Sequence, residues 1–285
     1  MKRTLILGLA AAAALLSAGP GQAQDHDRTN APKRVVSMNL CTDQLAVLIA
    51  RPEQIASVSF LSHQKISSVL VREARRFPAN RGTAEEIFRL QPDLVTVGRY
   101  SAPSTVHLLK RLGMNVVTFE PARDFPSIRE NIRKMGTILH RQEQAEKVVA
   151  AFDASVRSAR DNANRSGAVI GSYAANGYST GGDSLESALV EAAGFRHLGT
   201  EQGRTGSIKI PLESLLAQNP DYLLTWDHYA NDVSRATAVI RHPALQKWFT
   251  EDRHLNVPSR YWVCGAPFTA TAIHHLIDAT GKPSS

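Results

Sequence analysis

The chain has 285 residues, of which 43% are hydrophobic and 21% are charged. This balance is typical of a globular protein with a sizeable core and argues against a disordered chain. The formal net charge is +7, but the chain lacks the Lys/Arg blocks and interleaved aromatic residues of nucleic-acid-binding proteins. Its two cysteines are too few for a disulfide framework.

The N terminus predicts an export signal. Lys2 and Arg3 precede a Leu/Ala-rich stretch, and small residues at Gly21 and Ala23 favour cleavage after Ala23. The apolar stretch is shorter than the roughly 20 residues that span a bilayer. We therefore expect residues 1–23 to be removed and the mature protein, which is mildly basic, to be periplasmic.

After a polar tail over residues 24–33, short apolar runs alternate with helical stretches. This is the pattern of strands and helices around a mostly parallel sheet. The first half predicts strands at 34–38, 55–60, 94–98 and 116–119, and helices at 42–50, 83–90 and 104–112. Together they predict an N-terminal α/β lobe over residues 34–140.

A long helix follows the first lobe. Residues 141–163 contain neither proline nor glycine, and five apolar residues recur at helical spacing: Ala145, Val148, Val149, Phe152 and Val156. At about 1.5 Å per residue this helix would be about 35 Å long, enough to join two domains. We assign residues 141–164 to a linking helix.

Beyond this helix the alternation of strands and helices starts again. The pattern predicts strands at 168–173, 222–226 and 261–264, and helices at 184–193 and 267–278. Residues 165–285 are therefore expected to form a C-terminal α/β lobe.

The two lobes contain related segments. The stretch Glu85 to Leu94 is echoed 128 residues later by Glu213 to Tyr222, and in both copies a glutamate stands seven residues before Pro-Asp. In each copy a short helix ends at the proline and a buried strand follows. A helix that ends at Pro-Asp is also common in unrelated α/β proteins, but the echo favours two similar lobes.

Several short segments occur together in a definite order. They are Arg34-Val35-Val36-Ser37-Met38-Asn39, Arg81-Gly82-Thr83-Ala84-Glu85-Glu86-Ile87, Gln91-Pro92-Asp93-Leu94-Val95, the long helix, and Leu212-Glu213-Ser214-Leu215 with Asn219-Pro220-Asp221. In this the chain resembles the periplasmic substrate-binding proteins of ABC importers for ferric siderophores, haem and vitamin B12, over essentially its whole mature length. The resemblance implies two Rossmann-like lobes linked by one rigid helix, with a ligand cleft between them. It also implies a monomer without intrinsic cofactor.

Open α/β sheets bind ligands beyond the carboxyl ends of their strands, so the facing loops of two lobes would line the cleft. Aromatic residues there suit a macrocycle or a catecholate, and cations suit an anionic ferric chelate. The candidates for ligand binding are Asn39, Phe60, Arg81, Arg99, Tyr100, Tyr173, Tyr178, Lys209, Trp226, Tyr229 and Trp262. Each aromatic could instead cap the core, and each cation could be solvated surface charge.

The cations and the net charge favour an iron(III)-siderophore-type chelate. Cobalamin or another corrinoid fits the aromatic residues nearly as well, and haem comes third because no histidine or tyrosine stands out as an axial ligand. An exported α/β enzyme is the alternative of a different class, but nucleophile-elbow, Walker and dinucleotide glycine motifs are missing. No metal site and no catalytic residue is predicted.

In the resembled family, one glutamate on each lobe engages arginines of the membrane permease. By motif position these would be Glu85 and Glu213, with Glu86 as an alternative to Glu85. The expected partner is therefore a permease dimer in the inner membrane, with its ATPase. The alternative is that these carboxylates only complement helix dipoles.

Cys41 follows the first predicted strand and Cys264 ends the last, so we expect both near the cleft. A disulfide between the lobes, two buried thiols, and a role as metal or cofactor ligands all fit this placement. A disulfide requires Cα atoms within about 7 Å of each other, which the sequence does not fix.

Overall fold

The computed structural model describes residues 30–226 and 234–280. The predicted export signal lies outside the described residues. Within them, no helix is long and apolar enough to cross a membrane.

The first lobe is built on a five-stranded sheet. Its strands are β1 (Val35–Ser37), β2 (Ile55–Ser59), β3 (Ala79–Asn80), β4 (Leu94–Gly98) and β5 (Val116–Phe119). They lie in the order β3-β2-β1-β4-β5, and all neighbours are parallel. Parallel strands that are covered on both faces are apolar throughout, which is why the sequence shows them as continuous runs.

Helices cover both faces of this sheet. They are α1 (Leu40–Ile49), α2 (Val71–Ala74), α3 (Ala84–Arg89), α4 (Pro103–Arg111) and α5 (Phe125–Ile138). Val35 packs in one cluster with residues of α1 and α5, whereas its neighbour Val36 packs with α3 and α4. Successive side chains of a strand point to opposite faces, so β1 anchors both layers.

The linking helix is confirmed as a single element, α6 (Gln142–Asp161), of 20 residues. Its buried face carries Ala145, Val149, Phe152, Val156 and Ala159. It contacts α1 and α5 of the first lobe as well as helices of the second, so the cluster around it extends through both lobes. A helix that packs on both lobes limits their relative motion.

The second lobe has a four-stranded parallel sheet and a small antiparallel pair. The order of the sheet is β11-β10-β6-β8, from β6 (Val169–Ser172), β8 (Arg196–His197), β10 (Tyr222–Trp226) and β11 (His254–Val257). The pair consists of β7 (Tyr178–Thr180) and β9 (Ser207–Lys209). The helices are α7 (Leu185–Ala192), α8 (Leu198–Glu201), α9 (Leu212–Gln218), α10 (Pro243–Trp248) and α11 (Thr269–Thr280).

The predicted strand at 261–264 is wrong. The last strand is β11, where Leu255 and Val257 are buried and alternate with exposed residues, and Pro258 follows it. Residues Ser259–Tyr261 then form a 3-10 turn. In the apolar run at 261–264, Trp262 is buried and Tyr261 is partly buried, whereas Val263 is 58% exposed.

The echo between the lobes extends to their hydrogen bonds. The Asp93 carboxylate accepts from the backbone N–H of Arg34 at 3.0 Å, just before β1, and the Asp221 carboxylate accepts from the N–H of Val169 at 2.7 Å, at the start of β6. In both lobes this aspartate opens the strand that pairs with the first strand. The fold class of two similar α/β lobes is confirmed, while the boundaries at 34–140, 141–164 and 165–285 stay predictions.

Candidate functional site

A pocket of about 240 Å³ lies where the two lobes meet. The first lobe contributes the carboxyl ends of β4 and β5 with the loops that follow them, Asn39, and residues of α1 and α5, and the second contributes the segment after β11. The lining residues are Asn39, Cys41, Thr42, Leu45, Gly98, Arg99, Tyr100, Phe119, Glu120, Pro121, Ala122, Asn131, Val263 and Cys264. We call this the interlobe pocket. It brings together three of the predicted ligand-binding residues and both cysteines.

Asn39 is held in place by its role at the start of α1. Its side-chain oxygen accepts from the backbone N–H of Cys41 at 2.9 Å, as an N-cap residue does. A Cβ atom at Gly98 would lie 2.9 Å from the Asn39 side chain, so glycine at that position makes room for it. Asn39 also lines the pocket, where its amide group provides a polar surface.

Arg99 and Tyr100 follow β4 at the mouth of the pocket. The Arg99 guanidinium is 3.8 Å from the Glu120 carboxylate, and both side chains are about two-thirds exposed (64% and 66%). Such a solvated pair contributes at most about 1 kcal/mol, so Arg99 can exchange Glu120 for an anionic ligand at little cost. Tyr100 is 82% exposed and offers a broad apolar face next to this charge.

A disulfide joins the two lobes beside the pocket. Cys41 in the first turn of α1 is bonded to Cys264, with Cα atoms 4.9 Å apart. The lobes are also joined by Arg123 and Asp183, whose guanidinium and carboxylate are 3.3 Å apart. These links fix the spacing of the lobes on this side of the cleft.

Phe60, Arg81, Tyr178 and Lys209 are not among the lining residues of the interlobe pocket. The Arg81 guanidinium lies 5.8 Å from the centre of the Phe60 ring, and Phe60 is 39% exposed. Tyr178 and Lys209 are register partners in the β7–β9 pair. Each pair thus combines an exposed aromatic side chain with a cation, but the structure places the two pairs on different lobes.

The assignment of Tyr173 and Trp262 to the ligand site is not what the structure shows, because both side chains are buried. Tyr173 is 1% exposed and donates to the Ile210 carbonyl at 3.3 Å. Burial raises the pKa of Tyr173, and the charge of Glu213 adds to this shift. Trp262 is 8% exposed, and its indole N–H donates to the Val257 carbonyl at 3.4 Å. Tyr173 completes the core at the end of β6, and Trp262 does so in the turn that follows β11.

Two further candidates are only partly covered by the structure. Trp226 is the last residue of β10, and its side chain lies outside the described part of the chain. Tyr229 falls in residues 227–233, which the structure does not describe. Their place at the site stays a prediction.

Sequence reasoning missed a buried carboxylate next in the chain to Thr42, which lines the interlobe pocket. Asp43, in the first turn of α1, is fully buried and accepts hydrogen bonds from the Ser59 N–H at 3.1 Å, the Ser59 hydroxyl at 2.5 Å and the Ser62 hydroxyl. Burial raises the pKa of Asp43 to about 7, although these hydrogen bonds oppose the shift. Asp43 therefore fixes the loop after β2 to the start of α1.

The second lobe has a counterpart at the start of α7. Glu186 is 2% exposed, accepts from the Thr180 hydroxyl and lies 3.5 Å from His197. Burial raises the pKa of Glu186, but hydrogen bonds from His197, Ser172 and Thr180 outweigh it and hold the pKa below its usual value. Both acids lie in the first turn of a helix and are surrounded by hydroxyl groups, and an acid at such a position is the signal that could have pointed to them.

The predicted docking acids are placed differently from one another. Glu86 is bound to the segment before α3, because its carboxylate accepts from the Arg81 N–H at 2.7 Å, while the Thr83 hydroxyl caps the helix by accepting from the Glu86 N–H at 3.3 Å. Glu85 is instead 84% exposed, 4.0 Å from Arg89, and Glu213 is exposed in the first turn of α9. Of the two neighbours, Glu85 is the one whose carboxylate faces solvent.

Two α/β lobes around a long helix, with a pocket between their strand ends, define a bilobal binding protein. The chain belongs to the periplasmic binding protein family, whose model matches residues 35–248. Members of this family lie outside the cytoplasm and work with a membrane permease and its ATPase. Binding of a ligand, rather than catalysis, is its function.

Relatives of known structure share the fold at low identity. The apo haem-binding protein RhuT of Roseiflexus sp. RS-1 is 18% identical, with a TM-score of 0.70 over 87% of this chain and 97% of that one. The Fe³⁺-hydroxamate transport protein of Saccharomonospora viridis is 18% identical (TM-score 0.68; 88% and 94% covered). The vitamin B12 binding protein BtuF of Vibrio cholerae is 16% identical (TM-score 0.65; 88% and 99% covered).

A relative is also found by sequence. The uncharacterized ABC transporter substrate-binding lipoprotein YvrC of Bacillus subtilis is 20% identical over 214 residues, which are 72% of this chain and 67% of that protein. At these identities the similarity supports the fold, and the ligand has to be argued from the site.

Proposed function

We propose that the protein binds an iron(III)-siderophore-type chelate between its lobes and delivers it to an ABC importer. The observation that supports this most is the mouth of the interlobe pocket, where Arg99 and the exposed ring of Tyr100 are adjacent. A ferric chelate with net negative charge and flat chelating groups matches a guanidinium next to an aromatic face. The structural relative from S. viridis, a Fe³⁺-hydroxamate transport protein, points in the same direction.

The charge at the mouth of the pocket favours a chelate over a corrinoid, and the pocket itself is small. Its volume of about 240 Å³ is below the usual range of about 300–1,000 Å³ for small-molecule sites. Such a pocket accommodates one chelating arm and not a whole macrocycle. Cobalamin is the second candidate, supported by the 82% exposure of Tyr100, which suits contact with a corrin ring, and haem is the third.

Binding can be tested by thermal stabilisation of the apoprotein. Ferrichrome, ferric enterobactin, cyanocobalamin and hemin are added separately, because a ligand of the folded state raises Tm by mass action. We expect one of the ferric chelates to give the largest rise in Tm. The variant Arg99→Gln should bind this chelate with an affinity at least fivefold lower. Arg111→Gln, which changes an exposed arginine at the end of α4, is the matched control. A rise with cyanocobalamin alone would contradict the siderophore assignment.

Delivery is proposed to depend on Glu85 and Glu213, one exposed acid on each lobe, which would pair with arginines of a dimeric permease. Charge reversal of both should abolish uptake of the ferric chelate while its Kd stays unchanged. Reversal of Glu130 and Glu251, also exposed and one on each lobe, is the control. Uptake that survives the first pair of changes would contradict the docking assignment.

The remaining parts of the proposal concern the mature protein. Cleavage after Ala23 would release a monomer into the periplasm, with lobes at residues 34–140 and 165–285. Mass spectrometry of the purified protein gives the cleavage point, and light scattering gives the oligomeric state. A mass that retains residues 1–23 would contradict the export prediction.

A further inference from the structure

A second pocket between the lobes is strongly basic. It has a volume of about 560 Å³ and shares no lining residue with the interlobe pocket. Lys65, Arg72 and Arg75 line it from the first lobe, and Arg260 lines it from the second. No carboxylate belongs to its lining within the described residues. We call it the basic pocket.

Most of this charge is not balanced by acidic side chains. Arg72 is paired with Glu73 at 2.9 Å and is 93% exposed. For the other three cations, no carboxylate of residues 30–226 or 234–280 lies within ion-pair distance, taken as 4.0 Å. Cations that face each other from two lobes repel. An anion bound between them would be attracted to each cation and would offset this repulsion.

The side chain of Arg260 is held in position for a ligand. Its guanidinium lies 4.8 Å from the centre of the Tyr261 ring and donates to the Tyr261 hydroxyl at 3.4 Å. That ring in turn packs against His275, with ring centres 5.1 Å apart. A guanidinium fixed by an aromatic ring loses less conformational freedom when it binds an oxyanion.

Hydrogen-bond donors accompany the cations. Ser68 is 3% exposed and its hydroxyl oxygen accepts from the Leu70 N–H at 3.1 Å, which leaves its own proton to donate. Gln44, which does not line the pocket, supports its Val69 wall by accepting from the Val69 N–H at 3.3 Å. Ser68 therefore adds a hydrogen-bond donor to the cations of the basic pocket.

We propose that the basic pocket binds a multivalent phosphate-type anion, either free in solution or as the headgroup of a phospholipid. Arginine is suited to phosphate because its planar fork donates two parallel hydrogen bonds. The pocket is larger than a single phosphate, so a phosphate ester or a pyrophosphate fits it better. This proposal concerns residues of both lobes other than those of the interlobe pocket and does not rest on the identity of the transported ligand.

The first test uses pyrophosphate as the probe, with isothermal titration calorimetry and thermal unfolding at low ionic strength. We expect saturable binding that weakens with added salt, and at least a tenfold loss of affinity in the double variant Arg75→Gln/Arg260→Gln. The control variant Lys110→Gln/Arg111→Gln removes the same charge from exposed positions on α4. Lys65→Gln provides a second pocket variant should the double variant unfold. No saturable binding, or an equal loss in the control, would overturn the proposal.

The second test separates the two sources of phosphate. Vesicles of neutral phosphatidylcholine and vesicles that also contain phosphatidylglycerol are sedimented with the protein, with and without pyrophosphate. Capture by the anionic vesicles that is lost in the double variant and competed by pyrophosphate supports a lipid headgroup. Pyrophosphate binding without vesicle capture supports a soluble anion. Vesicle capture that is equal for wild type and double variant, without pyrophosphate binding, would contradict a pocket of this chemistry.

Discussion

Replacing Cys41 and Cys264 by serine should destabilise the protein substantially. The disulfide joins residues 223 positions apart, and on the chain-entropy relation a loop of this length contributes about 5 kcal/mol as an upper value. The double variant should therefore unfold at a clearly lower guanidinium concentration than the oxidised wild type, whereas reduced wild type should match the variant. Equal unfolding midpoints for the variant, the reduced wild type and the oxidised wild type would refute a disulfide between the lobes.

The bond itself can be counted directly. The chain contains no cysteine besides these two, so a thiol reagent applied to protein unfolded without reductant gives an unambiguous result. We expect no reactive thiols before reduction and two after it. Two reactive thiols before reduction would show that the lobes are not joined by this bond.

Loss of the bond should also weaken ligand binding. Without it, Arg123 and Asp183 still link the lobes, but their side chains are 66% and 39% exposed, and such a pair contributes at most about 1 kcal/mol. The interlobe pocket, which both cysteines line, would then lose its fixed width. We expect a three- to tenfold weaker Kd for the ferric chelate in the double variant, measured by fluorescence titration, and an unchanged Kd would contradict a positioning role.

Three further changes test other parts of the structure. The pKa of Asp43 is raised from 3.8 to about 7, so between these values the folded state keeps a proton that the unfolded state loses. Stability should therefore fall by about 3 kcal/mol from pH 4 to 7, and Asp43→Asn should remove this loss in denaturant titrations at several pH values. Asp93→Ala removes the acceptor of two backbone N–H groups and Asp221→Ala that of one, so Asp93→Ala should cost about 1–3 kcal/mol and more than its counterpart. Gly265→Ala combines a positive φ with a Cβ that would lie 2.5 Å from the first lobe, whereas Gly113→Ala has only the positive φ. The difference between the two losses in unfolding free energy should be about 1–3 kcal/mol and measures packing between the lobes. Equal losses would argue against close contact there.

Strong periodicity made the scaffold predictable. The apolar run at Leu94–Gly98 and the helical spacing of Gln142–Asp161 each reflect contacts that recur along the element, so the sequence shows them clearly. The strand His254–Val257 was missed because four residues with alternating polarity carry little signal. This strand is at the edge of its sheet, and its pairing with β10 fixes its conformation.

The site was predicted less completely than the fold. Loops that follow strands contain both ligand-binding residues and side chains that complete the core, and composition does not distinguish the two. Tyr173 and Trp262 are buried, for example, whereas Tyr100 is exposed. The role of Asp43 depends on Ser59 and Ser62, which lie 16 and 19 residues away. Contacts of this kind follow from the packing of β2 beside β1 and cannot be read from local patterns.

The most direct test of the central claim is to purify the protein from its native periplasm and record absorption and mass spectra of whatever is bound. A ferric chelate in the cleft predicts iron equimolar with the protein, a charge-transfer band, and a siderophore mass released on denaturation. A corrinoid or haem spectrum, or protein that carries no iron and is not stabilised by any ferric chelate, would contradict it.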